Sequence, residues 1–336
     1  MKLSIWVTRN CNMDCCYCYE DGILRYDAPI QEDSYIEKCI EFINLTCSRI
    51  SSKKLFVKFF GGEPLLKYSF IKKFISILDD KISPDVRVFY SITTNGTLMT
   101  DEMILWFKEN QIECALSIDG NEAVYSANRH YKNGTSAWVT VDQLIPKIVG
   151  IGLKLSARMT YNSKTVGYLY ESITYLINRG FTVFKAVPDY FDSNWSPEQI
   201  PVLKKQVEQV YKLRVEHPQL QINLDDDDLY IGRKGCAGGY SMFSIDKNGD
   251  IYPCTYVVDN PGFVIGNIFD TCYVPLQYAD GTHLQRKDCI GCKYFKCCKS
   301  ASCLYGNYKL SGHLDGINEF FCEYRKILYE LKEMGF

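Results

Sequence analysis

The chain has 336 residues, 46% of them hydrophobic and 23% charged, with 38 Lys and Arg against 40 Asp and Glu for a formal net charge of -2. That length buries a large core without external staples, and the near-neutral balance gives no general attraction for nucleic acid or anionic lipid. No stretch approaches the roughly 18 apolar residues of a membrane span, and the opening MKLSIWVTRN runs into a Cys-rich segment instead of a signal core. A cytoplasmic protein with neither nucleic-acid nor membrane partners is expected.

From residue 3 to about 190, short runs rich in β-branched and aromatic residues alternate with segments of helical period. Strands are expected at 3–8, 55–60, 86–93, 114–118, 154–160 and 182–187, with helices at 33–47, 68–80, 101–109, 139–149 and 166–179. Strand–helix alternation of this kind predicts an α/β fold with a parallel sheet, here a partial (β/α)6 TIM-like barrel with its chemistry at the carboxyl ends of the strands. After Pro188, Ser196 and Pro197 read as the N-cap and first residue of a charged helix reaching about Glu216. The acidic run 225–228 reads as a solvated loop. From Cys236 onward Gly, Cys, Tyr and Lys dominate, and the one long apolar helix is at 319–333, so metal sites are expected to hold this part together. The sequence thus divides into a barrel at 1–190, a helical linker at 191–235 and a small Cys-rich domain at 236–336.

Sixteen cysteines in a cytosolic protein read as metal ligands or redox groups, because a reducing compartment does not keep disulfides. Cys11, Cys15 and Cys18 follow the first strand in a C-x3-C-x2-C spacing, which suits three irons of a [4Fe-4S] cube with the fourth iron open; Cys16 points elsewhere. A zinc knuckle would want a fourth ligand close by, and the next suitable His or Cys is distant in sequence.

This loop, with Tyr17 before its last cysteine, resembles the radical SAM superfamily, whose hallmark is C-x3-C-x-aromatic-C after the first strand of a partial barrel. Gly61-Gly62-Glu63-Pro64 after the second strand is similar to the family's GGEP motif, which holds the amino group of S-adenosylmethionine (SAM). Thr94 and Asn95 after the third strand, and Ser117 and Asp119 after the fourth, fall where the family contacts SAM or substrate. Arg158 or Arg129 would suit the SAM carboxylate through a paired charge-assisted bond. The resemblance implies that the open iron chelates SAM, that one electron cleaves it to a 5'-deoxyadenosyl radical, and that a flavodoxin- or ferredoxin-like reductant supplies that electron.

The C-terminal cysteines are similar to the SPASM extension of radical SAM enzymes that modify peptides and proteins. By that resemblance Cys289, Cys292, Cys298 and Cys322 hold a distal auxiliary [4Fe-4S] cluster, and Cys236, Cys254 and Cys303 a proximal one, making three cubes in all. One extra residue before Cys303 leaves Cys297 and Cys298 ambiguous, and the fourth proximal position falls to Cys272, to the spare member of that pair, or to substrate.

Sulfatase maturases of this architecture carry an Asp after the cysteine of G-x4-C, proposed as the base; here Cys254 is followed by Thr255, which does not ionise at pH 7. The ending Cys18-Tyr19-Glu20 is common among maturases of ribosomally made peptides. The favoured reading is a maturase that crosslinks a ribosomal precursor peptide, with a thioether ahead of carbon–carbon or carbon–oxygen bonds. Next come a peptide epimerase, with Cys114, Cys272 or Cys297 as hydrogen donor, and a sulfatase-maturing enzyme. A pure electron-transfer protein has no need of the GGEP-like motif. With the first strand at residue 3, no N-terminal leader-binding domain is expected, so a separate protein or the barrel and SPASM surfaces would hold the substrate.

Overall fold

The structure is a computed structural model and describes residues 1–18, 31–224, 236–270, 289–298, 300 and 303–335. Its barrel portion runs β1 (Lys2–Thr8), α1 (Glu32–Arg49), β2 (Lys54–Gly61), α2 (Tyr68–Lys81), β3 (Arg87–Thr94), α3 (Asp101–Glu109), β4 (Glu113–Ser117), α4 (Glu122–Ser126), α5 (Trp138–Ile151), β5 (Leu155–Tyr161), α6 (Leu169–Asn178) and β6 (Val183–Pro188). All six expected strands occur within one residue of their expected bounds. After them come α7 (Gln199–Glu216), β7 (Gln221–Asn223), β8 (Met242–Ile245), β9 (Asp250–Tyr252), β10 (Gly266–Asn267), α8 (Leu304–Ser311) and α9 (Glu319–Glu333).

One sheet contains all ten strands in the order β10-β9-β8-β1-β2-β3-β4-β5-β6-β7. From β8 through β1 to β7 every pairing is parallel, and β9 and β10 join antiparallel. The barrel is therefore open, and its β1 edge is extended by β8 from the Cys-rich part of the protein. Strands β7 to β10 have four residues or fewer, too short for period-2 alternation to announce them. The charged helix begins at Gln199 rather than Pro197, because the Ser196 amide and hydroxyl donate to Gln199 Oε1 (2.9 and 2.7 Å), so Ser196 does not cap the first turn.

Alternation along the strands separates two faces. Leu55, Val57 and Phe59 are fully buried under the helices, with Phe59 edge-on to Phe74 of α2 at 5.7 Å. The opposite series, Phe56, Lys58 and Phe60 on β2 and Ser156, Arg158 and Thr160 on β5, is half-buried or exposed. In a packed barrel that inner face would be filled with branched side chains; here it forms the wall of a cavity. α9 closes one flank, with Phe321 stacked on Tyr190 (3.6 Å), Phe320 on Trp195 (4.1 Å), and the Tyr324 hydroxyl donating to the Leu224 carbonyl (2.6 Å). Among the described residues, no helix is long and apolar enough to cross a membrane.

Candidate active site

The loop after β1 is tied to two neighbouring segments. Asp14 N donates to the His130 carbonyl (2.8 Å) and Cys16 N to the Asn128 carbonyl (3.0 Å), beside an isolated bridge between Met13 and Tyr131. The Cys16 thiol donates to Asn128 Oδ1 (3.1 Å), away from the series Cys11, Cys15 and Cys18. Those three thiols line one cavity of about 510 Å³ at the carboxyl ends of the strands. Burial pushes the Cys15 thiol up to about 12; Arg129 opposes this, while Asp119, Cys11 and Cys18 add to it. In this apolar setting a thiolate wants compensating positive charge, which iron supplies.

The GGEP segment lies against the same loop. Gly62 N donates to the Thr8 carbonyl (3.0 Å) and Glu63 N to the Asn10 carbonyl (2.9 Å). A Cβ on Gly61 would collide with Thr8 O and one on Gly62 with Asn10 O, and Gly61 has φ of 138°, so only glycine permits this approach. Glu63 is buried, and its carboxylate accepts from Leu65 N (3.0 Å), Thr94 Oγ1 (2.7 Å) and Asn95 N (2.8 Å). A carboxylate has about four acceptor sites, so three donors leave room for one more. Asn95 also bonds Asn12 Oδ1 (3.0 Å), linking the end of β3 to the cysteine loop.

Asp119 is the hub of a buried network. It accepts from the Tyr17 hydroxyl (2.5 Å), from Nε and Nη2 of Arg129 (both 2.9 Å) and from Thr160 N (2.9 Å), with the Arg129 guanidinium over the Tyr17 ring at 5.2 Å. The paired fork of Arg129 is thus committed to Asp119. Arg158 stands half-buried on the cavity wall beside Ser117, its register partner. Tyr17, Gly61, Gly62, Glu63, Asn95, Ser117, Arg129 and Arg158 all line the cavity, while Pro64, Thr94 and Asp119 lie behind that lining.

Across the cavity stand Thr255, Cys303 and Phe321 from the C-terminal part. Cys303 lies within reach of the charges of Cys236 and Cys254, and burial pushes the Cys254 thiol up to about 12 and the Cys236 thiol upward. Amides of Gly238 and Leu304 donate to Cys236, and that of Tyr256 to Cys254; such N–H···S bonds would tune the potential of an iron–sulfur cluster held there. A second group forms where Cys322 on α9 feels Cys298 and Cys289, with Lys326 beside Cys322 and Cys292. Cys297 turns its thiol to the Tyr294 carbonyl (3.3 Å). Among the described residues no three ligating side chains crowd together as a single bare ion would require. Thiolates are the donors that iron–sulfur ligation uses, so the chemistry of these side chains fits it.

Cys114 faces the helix-covered core from β4 and does not line the cavity, so its thiol has no line to a substrate there. Cys272, the acidic run 225–228 and the Tyr19-Glu20 pair lie outside the described residues. Asp189, Lys58 and Arg9 are cavity residues that the motifs did not announce. Asp189 follows β6, where the carboxyl-end rule could have found it. Its Oδ1 accepts from Phe191 N (3.0 Å), and burial pushes its carboxyl up to about 6, opposed by that bond and reinforced by Asp192. Arg9 pairs with Asp246 (3.2 Å) and Asp259, joining the first cysteine loop to the turn after β8.

Residues 5–160 match the radical SAM superfamily. The chain is 23% identical over 347 residues to the cysteine-type anaerobic sulfatase-maturating enzyme of Clostridium novyi (strain NT), covering 96% of this chain and 92% of that one. It is 23% identical to the radical SAM cyclopropyl synthase TigE of Paramaledivibacter caminithermalis over 97% of this chain and 72% of that one. Among solved structures, native anSMEcpe with bound AdoMet and Kp18Cys peptide matches with a TM-score of 0.82 at 18% identity, covering 100% of this chain and 98% of the other. Streptococcus suis SuiB bound to precursor peptide SuiA matches with a TM-score of 0.67 at 16% identity, covering 96% and 75%. Sequence over the barrel and fold over the whole length agree: residues 5–160 form a radical SAM domain, and the chain as a whole has the fold of anSMEcpe.

Proposed function

We propose that the protein is a maturase that crosslinks a ribosomally made peptide, with a thioether as the favoured product. One observation carries this reading: a single cavity is lined both by the three thiols of the first loop and by Cys303 of the proximal set. A peptide segment held between them would lie next to both. SAM and its cluster, when bound, supply a hydrogen-abstracting radical. Glu63 keeps one acceptor site for the SAM amino group. Tyr190, Phe191 and Phe321 give the cavity an aromatic flank that excludes water, and Asp189 can take a proton there.

Peptides are bound by anSMEcpe and SuiB in their solved complexes, which supports a peptide as the substrate here. Forming a thioether removes one C–H and one S–H as the C–S bond closes. Mass spectrometry should show a product about 2 Da lighter per bond, with one alkylatable thiol fewer. Loss of two hydrogens with every thiol retained would replace the thioether by a carbon-centred crosslink.

A second reading, oxidation of a sulfatase cysteine or serine to formylglycine, draws on relatives of that activity along nearly the whole length. Thr255 on the cavity wall speaks against it, and efficient formylglycine formation on a sulfatase-derived peptide would establish it.

A further inference from the structure

Lys58, Arg158 and Lys185 all belong to the inward series of their strands, β2, β5 and β6. Arg158 and Lys185 are register partners on neighbouring strands, and Lys58 lines the same cavity as Arg158. The Lys58 ammonium sits over the Phe60 ring at 4.7 Å. Among the described residues none of the three has an acid within ion-pair distance. Burial pushes the Lys58 ammonium down to about 7, and the charges that act with it, Arg158 and Lys185, are both positive. Like charges facing each other across paired strands destabilise a sheet, so the fold carries a cost that a bound anion would cancel.

Position separates this group from the cluster end of the cavity. Lys58 precedes Gly61 by three residues, roughly 10 Å along the strand, whereas Gly61 and Gly62 touch the loop that carries Cys11. A guanidinium with one lysine as its register partner and a second lining the same cavity suits a carboxylate, which Arg can grip through both oxygens. We propose that Lys58, Arg158 and Lys185 form a carboxylate subsite that receives an acidic group of the substrate, either an Asp or Glu side chain or the terminal carboxylate of a peptide. The proposal rests on the peptide reading for the identity of its ligand.

Acetate is the probe, added to the anaerobically reconstituted holoprotein in place of chloride at matched ionic strength. At about ten times its Kd it should raise Tm by about 2–4 °C, with SAM bound as well as without it. Lys58→Met should raise Tm in chloride, because repulsion is removed, and should lose the acetate increment; Arg158→Met should lose the increment too. Acetylglutamate amide and acetylalanine, which carry only a side-chain or only a terminal carboxylate, separate the two sources by which gives the larger shift. No increment in the wild type, or an equal one in both variants, overturns the subsite. An increment that vanishes with SAM bound overturns it as well, by assigning the position to SAM's own carboxylate. The peptide reading fails independently, when no peptide changes mass while the acetate response persists.

Discussion

In the first cysteine loop protein groups already fix the backbone: amides of Asp14 and Cys16 pair with the 128–130 segment, and Tyr17 is anchored on the buried Asp119–Arg129 pair. Among the described residues the C-terminal cysteines rest chiefly on side-chain packing, with Cys292, Cys297 and Cys298 against the main core. Cys254 belongs to a small buried group with Val257, Leu304 and Tyr305, and Cys289, Cys292, Cys298 and Cys322 are only partly buried. The first region is held by backbone hydrogen bonds to a neighbouring segment; the second is held by packing, to which thiolate–metal bonds would add. The contrast would suit a division of labour in which SAM needs a site held to a fraction of an ångström, while any auxiliary cluster would need chiefly to stay bound.

The largest test removes the cluster of the first loop alone. Replacing Cys11, Cys15 and Cys18 together by Ala should abolish SAM cleavage and lower bound iron from about twelve to about eight per molecule, with the barrel still folded. Iron near four in the reconstituted wild type would break the comparison by deleting the auxiliary clusters. Next in size, Asp119→Ala strands the Arg129 guanidinium in a buried site, and urea unfolding should show a loss of about 3–5 kcal/mol. A loss below about 1 kcal/mol would mean that the loop is not protein-anchored.

Asp189→Asn should act in the opposite direction. Burial raises the folded-state pKa of this carboxyl to about 6, so its ionised form costs stability above that pH. At pH 7.5 the variant should be more stable by on the order of 2 kcal/mol, and the difference should shrink as pH falls from 6 toward 4 and the wild-type carboxyl gains its proton. A gain that is flat across that window would place the cause outside the titration. The smallest effect is expected for Tyr17→Phe, which deletes one hydrogen bond to a charged acceptor that keeps three others, at a cost of about 1.5 kcal/mol.

The barrel was legible because each of its strands is a run of five or more alternating or apolar residues followed by a helix of clear period, and the motifs fall at strand ends where the fold puts chemistry. The cysteine loop and the GGEP segment could be read as a pair because their spacing is itself the chemistry. What escaped were contacts between residues distant in sequence. Arg129 and Arg158 look equivalent in the sequence until the fold shows Asp119 taking the fork of one. Lys58 belongs to no motif, and only the parity of β2 turns it toward the cavity that Arg158 also lines. Cys114 reads as a reactive thiol until that same parity turns it into the core.

The pairing of β1 with β8 has a consequence for how the protein is made. β1 acquires β2 on one side soon after synthesis, but its other neighbour starts at Met242. At about 5–20 residues per second, that edge stays open for roughly 10–50 s while the ribosome supplies the rest. An uncovered strand immediately before the cysteine loop invites pairing with other molecules, and the exposed charge of Lys2 at its start is the sort that discourages it. Iron loading of the first loop therefore competes with aggregation until β8 arrives, and anaerobic expression at low temperature, which slows association more than it slows strand docking, is the condition under which full-length protein should accumulate.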